Sequence, residues 1–478
     1  MIDLSPEEFR TLAYRAVDLI AERLSGLEGG PARRVVPDAL RQQLLNQPLP
    51  ESGIAATQLL ERISKEILPY PLGNNSPRFF AWVNSPAAPL GVLAELFAAS
   101  LNSSVAGGDH AATYVEHAVL QWLKTLVGYP SDSGGILTSG GSVANLIGLA
   151  VMRHIKTQGN VRALGMQAES APMIVYASTQ GHSCIQKAVE LLGLGNENLH
   201  RVGVDSEYRM DLRALAKQIR SDRADGRRPV CVVASAGTVN TGAIDPLAEI
   251  AELCEREGLW FHVDGAYGAI GILAEQTRDQ YPGMERADSL AVDAHKWLYI
   301  PVECGCAFVR NRQAMRDAFS VVPPYLRDDT SLPWFSEFGV QQTRGFRALK
   351  LWLCLQHVGA EGYRELVTQD IALARKLQER IRKNPDFELV AAGPLSITCF
   401  RYAPEGEQDL DALNRRLLDL VQREGKVFLT STELDGRLVL RACIVNFRTR
   451  EEHLEALLEE VADAGRRVRG AMKMPQDL

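Results

Sequence analysis

Between about residues 90 and 352, short apolar segments alternate with amphipathic helical stretches, and this alternation most constrains the fold of the chain. Each segment is too short for a helix and is apolar on both faces, as in a strand that is buried on both sides. The pattern therefore predicts an α/β fold whose mainly parallel sheet is covered by helices on both faces. Five segments carry the pattern: 174–178, 230–234, 260–264, 289–293 and 305–309.

The two ends of the chain have different patterns. Ser5 is placed to cap a helix that begins at Pro6, and apolar residues recur behind it at helical spacing. These residues need a surface to pack against: Phe9, Leu12, Ala13, Ala16, Val17, Ile20 and Leu24. Prolines and glycines recur up to Pro89, which is typical of an arm. Beyond residue 368, a helical stretch and alternating segments indicate a smaller α+β domain.

These patterns divide the chain into three expected parts. At 478 residues, a single core would be unusually large, so more than one packed unit is expected. We expect residues 1–89 to form an N-terminal helical arm, residues 90–368 a large α/β domain, and residues 369–478 a small C-terminal α+β domain.

Charge and cysteine usage exclude several classes of protein. The chain has 52 Lys and Arg against 59 Asp and Glu, a net charge of −7, and its basic residues are scattered, so neither nucleic acid nor membrane is an expected partner. Its first residues lack the features of a secretory signal. Of eight cysteines only Cys304 and Cys306 are close, at a spacing unlike a zinc or redox pair. We expect buried reduced thiols, no metal site and a cytoplasmic protein.

Polar residues follow the predicted strands, at the edge where a parallel sheet binds its ligands. In the segment 138–142, Gly140 and Gly141 precede a helical stretch. Backbone N–H groups there can close on a phosphate, and the Ser142 hydroxyl adds a donor beside the positive end of the helix. Because a helix start of this composition is more often a simple cap, this motif alone is a weak signal.

Three further side chains at this edge suggest an aromatic, electrophilic ligand. Asp264 ends one apolar segment; such a carboxylate often caps a helix, but against a pyridine nitrogen it would keep the ring protonated. Lys296 follows another segment; a desolvated lysine can form an imine with an aldehyde, although a surface lysine is the simpler interpretation. His182 could lie over an aromatic ring or cap the next helix.

The order of these motifs resembles the group II pyridoxal-phosphate (PLP) decarboxylases, the family of the aromatic-L-amino-acid, histidine and glutamate decarboxylases. The run 262–267 followed by 293–297 carries the resemblance most clearly. Further matching segments cover nearly the whole chain: 77–82, 138–142, 181–183, 236–238, 242–246 and 345–350.

The resemblance implies the PLP-dependent transferase fold of type I, with a mainly parallel seven-stranded sheet, and a homodimer whose N-terminal arm packs on the partner subunit. It implies that Lys296 carries PLP as a Schiff base, that Asp264 pairs with the pyridine nitrogen, and that His182 stacks on the ring. The remaining residues expected around the cofactor are Gly140, Gly141, Ser142, Thr238, Asp293 and His295.

Two positions depart from the aromatic-amino-acid branch of that family. Asp293 stands where that branch often has Asn near the phosphate, and an unpaired acid there would repel the phosphate. Val239 replaces a second Thr, so a hydrogen bond from this loop to the cofactor would have to come from Thr238 or elsewhere.

The resemblance also supplies a proton donor and a pocket for the substrate side chain. Tyr325, in the segment 321–331, matches a loop tyrosine that protonates Cα after carbon dioxide has left. The expected side-chain pocket consists of Trp82, Val83, Asn84 and Ser85, with residues 101–105 contributed by the partner subunit. The segment 102–104 is Asn-Ser-Ser, smaller and more polar than usual for the aromatic branch.

These observations predict decarboxylation of an L-amino acid, with aromatic substrates favoured, to an amine and carbon dioxide. Another PLP reaction on the same fold is the alternative: aldehyde-forming decarboxylation, transamination or aldol cleavage. A PLP-binding protein without turnover is a further alternative. The loop that contains Tyr325 favours decarboxylation.

Overall fold

The computed structural model describes residues 2–321 and 332–473. Its helices are α1 Pro6–Ser25, α2 Asp38–Leu45, α3 Ala56–Arg62, α4 Pro89–Leu101, α5 Ala111–Val127, α6 Gly141–Lys156, α7 Val161–Leu164, α8 Cys184–Leu191, α9 Leu212–Ala224, α10 Leu247–Glu257, α11 Glu275–Arg278, α12 Ala294–Trp297, α13 Arg312–Phe319, α14 Ala348–Lys383, α15 Leu410–Glu424 and α16 Glu451–Lys473. Its strands are β1 Gly134–Thr138, β2 Met173–Ser178, β3 Leu199–Val202, β4 Arg228–Ser235, β5 Trp260–Asp264, β6 Ser289–Asp293, β7 Gly305–Val309, β8 Phe387–Ala392, β9 Ile397–Tyr402, β10 Thr430–Leu434 and β11 Arg437–Cys443.

Seven strands form one sheet in the order β1-β7-β6-β5-β4-β2-β3. The pairs from β3 to β6 are parallel, which confirms the predicted mainly parallel sheet. The exception is β7, which runs antiparallel to both β1 and β6. Only residues 294–304 separate β6 from β7, fewer than the roughly dozen residues that a parallel crossover needs, so the chain reverses direction there.

Helix α6 packs against β5, β6 and β7, and this contact places the first turn of the helix beside the strand ends. Gly148 makes the close approach possible, because a Cβ at this position would lie 2.8 Å from the His262 ring on β5. Helices α9 and α10 pack against β4.

Contacts divide the chain into two compact units, residues 1–82 with 376–390 and 398–478, and residues 83–375 with 391–397. In the first unit, four strands form a sheet in the order β10-β11-β9-β8, in which β10 and β11 are antiparallel neighbours. The Phe80 N–H donates to the carbonyl of Phe428, and the Cys443 N–H donates to the carbonyl of Phe80. The three-part division with boundaries at residues 89 and 368 stays a prediction.

The predicted N-terminal helix is confirmed in detail. Ser5 caps α1 through the N–H of Glu8, whose carboxylate in turn accepts from the Ser5 N–H, so that both groups of a capping box are present. The predicted apolar stripe is only partly covered within the chain. Three of its residues, Phe9, Val17 and Ile20, are exposed, the other four are half-buried, and Leu19 is the buried residue of this helix.

Two further predictions concern cysteines and membranes. All eight cysteines are free and buried, as predicted. Among residues 2–321 and 332–473, no helix combines the length and the apolar character that crossing a membrane requires.

Candidate active site

A cavity of about 340 Å³ opens at the carboxyl ends of β1, β2, β4, β5 and β6. This is the sheet edge where the alternating pattern predicts a ligand. All the predicted cofactor residues except Thr238 line it, namely Gly140, Gly141, Ser142, His182, Asp264, Asp293, His295 and Lys296. The sheet thus brings together residues from four separate parts of the sequence.

The first turn of α6 forms one wall of the cavity. Gly140 precedes the helix with φ 134°, a backbone conformation that L side chains rarely adopt. A Cβ on Gly141 would lie 2.8 Å from the Ala266 side chain, so a larger residue at position 141 would collide with Ala266. The N–H groups of Ser142 and Val143 lie in the first turn, where a helix offers them no acceptor. This turn therefore presents free donors and positive helix polarity to an anion.

Asp293 lies against the same turn. Its Oδ2 accepts a hydrogen bond from the Gly141 N–H at 2.9 Å, and its Oδ1 lies 2.7 Å from Nδ1 of His295. The carboxylate is almost completely buried, with 2% of the residue exposed. One oxygen of the acid that departs from the family pattern is thus held by the backbone, whereas Oδ1, although close to the imidazole, has no hydrogen-bond partner among the described residues.

Asp264 ends β5 at the other side of the cavity, and its Oδ1 accepts from the Ala266 N–H at 3.2 Å. Because alternate residues of a strand face the same side, Trp260 and His262 share this face with Asp264. Below Asp264, the His262 ring is completely buried, and burial lowers its pKa to about 4. His262 is therefore neutral at physiological pH.

A directional chain of hydrogen bonds fixes the tautomer of His262. The indole N–H of Trp260 donates to Ser289 Oγ at 2.8 Å, which leaves the Ser289 hydroxyl hydrogen for His262 Nδ1 at 2.7 Å. His262 Nε2 then carries the ring hydrogen and donates to Asn145 Oδ1 at 2.7 Å. Asn145 Nδ2 donates in turn to Cys184 Sγ at 3.3 Å in the cavity wall. Neutral groups thus satisfy both nitrogens of His262.

His182 enters the cavity from the segment after β2. Its Nδ1 accepts from the Cys184 N–H at 3.1 Å, so that a proton on the neutral ring is at Nε2. Burial lowers the pKa of this imidazole, and the charge of Lys296 acts in the same direction, whereas that of Asp264 opposes it. His182 is therefore a neutral, oriented ring in the cavity wall.

Lys296 belongs to the short helix α12, and the next residue, Trp297, anchors this helix. The indole of Trp297 is completely buried, donates to Asp370 Oδ2 at 2.9 Å, and stacks on the Tyr267 ring at 5.2 Å between centroids. The hydroxyl of Tyr267 bonds to Ser396 Oγ at 2.7 Å. These contacts fix the backbone from which the Lys296 amine reaches the cavity.

With this geometry established, comparison with known proteins decides the family. The model of the pyridoxal-dependent decarboxylase conserved domain matches residues 37–403. The chain belongs to the pyridoxal-dependent decarboxylase family. It is 35% identical to an aromatic-L-amino-acid decarboxylase of Bacillus atrophaeus, over 96% of this chain and 98% of that protein. This family is the one that the sequence motifs resemble.

Two other similar proteins are an aldehyde synthase and a structure solved with the cofactor and an amine. The chain is 30% identical to a phenylacetaldehyde synthase of Arabidopsis thaliana, over 95% of this chain and 94% of that protein. It superposes on the TDC of Oryza sativa, solved with PLP and tryptamine, with a TM-score of 0.91 and 25% identity, over 98% of this chain and 99% of that one. The chain is thus a PLP-dependent amino-acid decarboxylase with the fold of type I.

The residues of the cavity fit the family cofactor, pyridoxal phosphate. The turn at Gly140 and Gly141, which has no side chains, together with the N–H groups of Ser142 and Val143 in the first turn of α6, suits a phosphate. Lys296 supplies an amine for the aldehyde, and Asp264 supplies a carboxylate for the pyridine nitrogen.

Two of the predicted residues, Thr238 and Ser85, do not line the cavity. The Thr238 hydroxyl is buried inside its turn, where it bonds to Thr241 Oγ1 at 2.9 Å and accepts from the Ala243 N–H at 3.1 Å. Ser85 is also buried and donates to the carbonyl of His295 at 2.8 Å, so it supports the wall from behind. Tyr325 lies outside the described residues.

The residues predicted for the substrate pocket have different surroundings. Val83 lines the cavity. Trp82 belongs to the first unit, where its ring packs against Phe79 and Phe428 and its carbonyl accepts from Arg441. Of the segment predicted to serve the partner subunit, Leu101 is 60% exposed, whereas Val105 is completely buried in its own chain.

The sequence motifs missed several residues of the cavity wall, among them Asn145, Cys184, Ser235 and Gly237. Asn145 had a usable signal, because it stands one helical turn after Gly141 and must share its face. In the described residues, no group of three or more His, Cys, Asp or Glu side chains is placed to hold a metal ion.

Proposed function

We propose that this enzyme removes the α-carboxylate of an aromatic L-amino acid as carbon dioxide and releases the corresponding amine. The observation that carries the proposal is the 35% identity with the aromatic-L-amino-acid decarboxylase of Bacillus atrophaeus over 96% of the chain. The TDC of Oryza sativa, which holds an aromatic amine, supports the same substrate class.

Each wall residue has a proposed task. Bound PLP supplies an electron sink for the pair of electrons that the departing carboxylate leaves at Cα. Lys296 holds the cofactor through its aldehyde carbon, and Asp264 holds a proton at the pyridine nitrogen. Because the His262 ring below Asp264 is neutral, it does not offset the negative charge of Asp264, which stays available for the pyridine nitrogen. His182 offers a neutral ring face for stacking.

The proton that replaces the carboxylate at Cα needs a donor, and we propose Tyr325. A phenol is neutral at physiological pH and can donate without leaving a buried cation behind. This assignment rests on the match of the segment 321–331 to the family loop.

Release of an aldehyde instead of an amine is the competing outcome. The 30% identity with the phenylacetaldehyde synthase of Arabidopsis thaliana is the observation that favours it. The two reactions differ at the carbon that has lost carbon dioxide. Protonation leads to amine, whereas two-electron oxidation by oxygen, which leaves as hydrogen peroxide, and hydrolysis by water lead to aldehyde and ammonia.

One experiment tests substrate and product together. The full-length enzyme with PLP is incubated with a panel of aromatic, acidic and basic L-amino acids, with Lys296→Ala as the control. We expect carbon dioxide and amine in equal amounts from an aromatic substrate. A preference for acidic or basic substrates would overturn the proposed substrate class, and aldehyde with consumption of oxygen would establish the competing reaction.

We also propose that the enzyme is a homodimer. Helix α4 leaves an apolar face uncovered in the chain, with Leu93, Leu96, Phe97 and Leu101 between 44% and 60% exposed. Such a face is typical of an interface. Light scattering should give the mass of a dimer, and Phe97→Glu should weaken it, whereas Leu191→Glu, a change at a 75% exposed residue of α8, should not. A parent chain that is monomeric would contradict the proposal.

A further inference from the structure

We propose that Gln180 and Asn240 are positioning residues for His182, since a hydrogen bond between their side chains holds the segment that carries this imidazole. The inference rests on the proposed function, in which His182 stacks on the cofactor ring. It adds two residues that lie outside the cavity lining and that the sequence motifs did not single out. Both act through the position of His182 and not on the cofactor itself.

The segment 179–183 between β2 and α8 needs a restraint from elsewhere in the chain. It belongs to no helix or strand, and its middle residue is Gly181. A Cβ on Gly181 would lie 3.0 Å from the carbonyl oxygen of Ser178, so this tight turn favours glycine, whose backbone has wide conformational freedom. On the far side, the N–H of Cys184 in α8 holds Nδ1 of His182 at 3.1 Å. The position of His182 therefore also depends on what holds the residues before Gly181.

Gln180 is held through both its backbone and its side chain. Its N–H donates to Ser178 Oγ at 3.0 Å, and its Oε1 accepts from Asn240 Nδ2 at 2.8 Å. The second bond reaches the turn that follows β4, which is the neighbour of β2 in the sheet. Both residues are half-buried, and a hydrogen bond is stronger there than in full contact with water. The bond thus joins the ends of two adjacent strands.

The turn that carries Asn240 is closed by its own hydrogen bonds. The N–H of Thr238 donates to the carbonyl of Ala243 at 2.8 Å, and the Thr238 hydroxyl bonds to Thr241 Oγ1 at 2.9 Å. Thr238, which was predicted to bind the cofactor, therefore holds this turn from within. The same turn contributes Val239 to the cavity wall. Asn240 is thus a fixed point from which Gln180 is held.

The bond between the two amides determines how His182 faces a ring in the cavity. Without it, both amides would bond to water, and the segment 179–183 would be free to turn about Gly181. Stacking depends on the separation and the tilt of the two rings, so a displaced imidazole would lose contact with the cofactor ring. The phosphate turn at Gly140 and Gly141 follows a different strand, β1. Loss of the bond should therefore weaken binding of the ring and leave binding of the phosphate unchanged.

The test uses two probes on the full-length apoenzyme. Pyridoxine 5′-phosphate has the ring and the phosphate but no aldehyde, so it undergoes no reaction, and inorganic phosphate has no ring. The affinity of the first is measured by calorimetry, and that of the second by competition with the first.

The proteins compared are the parent, Asn240→Ala, Gln180→Ala and His182→Ala, and the two double variants that combine each amide change with His182→Ala. The matched control is Asn198→Ala. Its half-buried side-chain amide also donates to a neighbour in the chain, a backbone carbonyl at 2.6 Å, but it precedes β3 and lies outside the cavity lining.

We expect His182→Ala to weaken binding of pyridoxine 5′-phosphate by about tenfold, through the loss of one stacked ring. Asn240→Ala and Gln180→Ala should each weaken it by about threefold to fivefold, because the ring remains but is displaced. In the His182→Ala background neither change should weaken it further, since both act through the same imidazole. The affinity for inorganic phosphate should stay at the parental value in every variant, and Asn198→Ala should bind both probes as the parent does.

Three results would overturn the inference alone, provided that His182→Ala itself weakens binding. They are parental affinity of Asn240→Ala for pyridoxine 5′-phosphate, an equal loss with and without the His182 ring, and a parallel loss of affinity for inorganic phosphate. The last two would mean that the amides support the cavity wall in general. Parental affinity of His182→Ala would instead contradict the stacking in the proposed function, and the inference would fall with it.

Discussion

Asp264 and Asp293 are the same residue type at the same position, the last residue of two neighbouring strands, yet their surroundings differ. Below Asp264 lies the neutral ring of His262, with both nitrogens satisfied by neutral partners. Asp293 instead has the His295 ring at 2.7 Å and a backbone N–H at 2.9 Å. The two carboxylates thus have different neighbours at equivalent positions: the charge of Asp264 lies above a neutral ring, whereas Asp293 lies against an imidazole and the first turn of α6.

Both carboxylates are proposed to act on a cofactor that Lys296 holds, so the largest effect is expected from Lys296→Ala. Turnover should fall by roughly six powers of ten or more, and the visible absorbance that borohydride bleaches in the parent should disappear. Lys187→Ala, which removes an exposed lysine of α8, is the matched control and should keep both properties. If the reducible absorbance survived in Lys296→Ala, another lysine would hold the cofactor and the comparison would lose its basis.

Tyr325→Phe tests delivery of the proton to Cα separately from the proposed task of Asp264 at the pyridine nitrogen. Carbon dioxide should still be released, because its loss does not need the phenol, but the amine-to-aldehyde ratio should fall by about tenfold or more. The ratio and the oxygen consumed are measured on the best substrate of the panel. An unchanged ratio with unchanged turnover would show that the phenol takes no part.

Ser289→Ala tests the hydrogen bonds that hold the neutral His262 ring below Asp264, and its expected effect is smaller. The substitution leaves the indole N–H of Trp260 and Nδ1 of His262 without the hydroxyl that joins them, deep in the core. We expect a loss of about 1–3 kcal/mol in the free energy of unfolding, measured with denaturant. The exposed Ser100 hydroxyl, which bonds only a carbonyl of its own helix, provides the control Ser100→Ala with an effect within about 0.5 kcal/mol. Equal stability of Ser289→Ala and the parent would mean that the hydrogen-bond chain does not hold His262.

The sequence predicts the fold where apolar pattern and strand burial agree. The segments 260–264, 289–293 and 305–309 coincide with β5, β6 and β7. The strand β3 was missed, because it has only four residues and the middle two are half-exposed at the sheet edge. The reversed direction of β7 has no signal in its composition, since a strand buried on both faces is equally apolar in either direction.

For the site, the sequence predicts which side chains meet but not the hydrogen bonds that each of them makes. Asp264 and Asp293 each end an apolar strand, and both line the cavity. The contact of Asp293 with the Gly141 N–H joins residues from two strand ends, and no local pattern predicts it. Similarly, the Thr238 hydroxyl bonds to Thr241 within its own turn instead of facing the cavity. The sequence does not show which of these two partners the hydroxyl takes.

The most direct test of the comparison is the turnover of Asp264→Asn and Asp293→Asn, each measured at saturating PLP on the same substrate. If the charge of Asp264 serves the cofactor ring, Asp264→Asn should lose several powers of ten in kcat, at about 1.4 kcal/mol of barrier for each power. Asp293→Asn should lose far less once its cofactor site is filled. Similar losses in both proteins, or near-parental turnover in PLP-loaded Asp264→Asn, would contradict the different roles assigned to the two carboxylates.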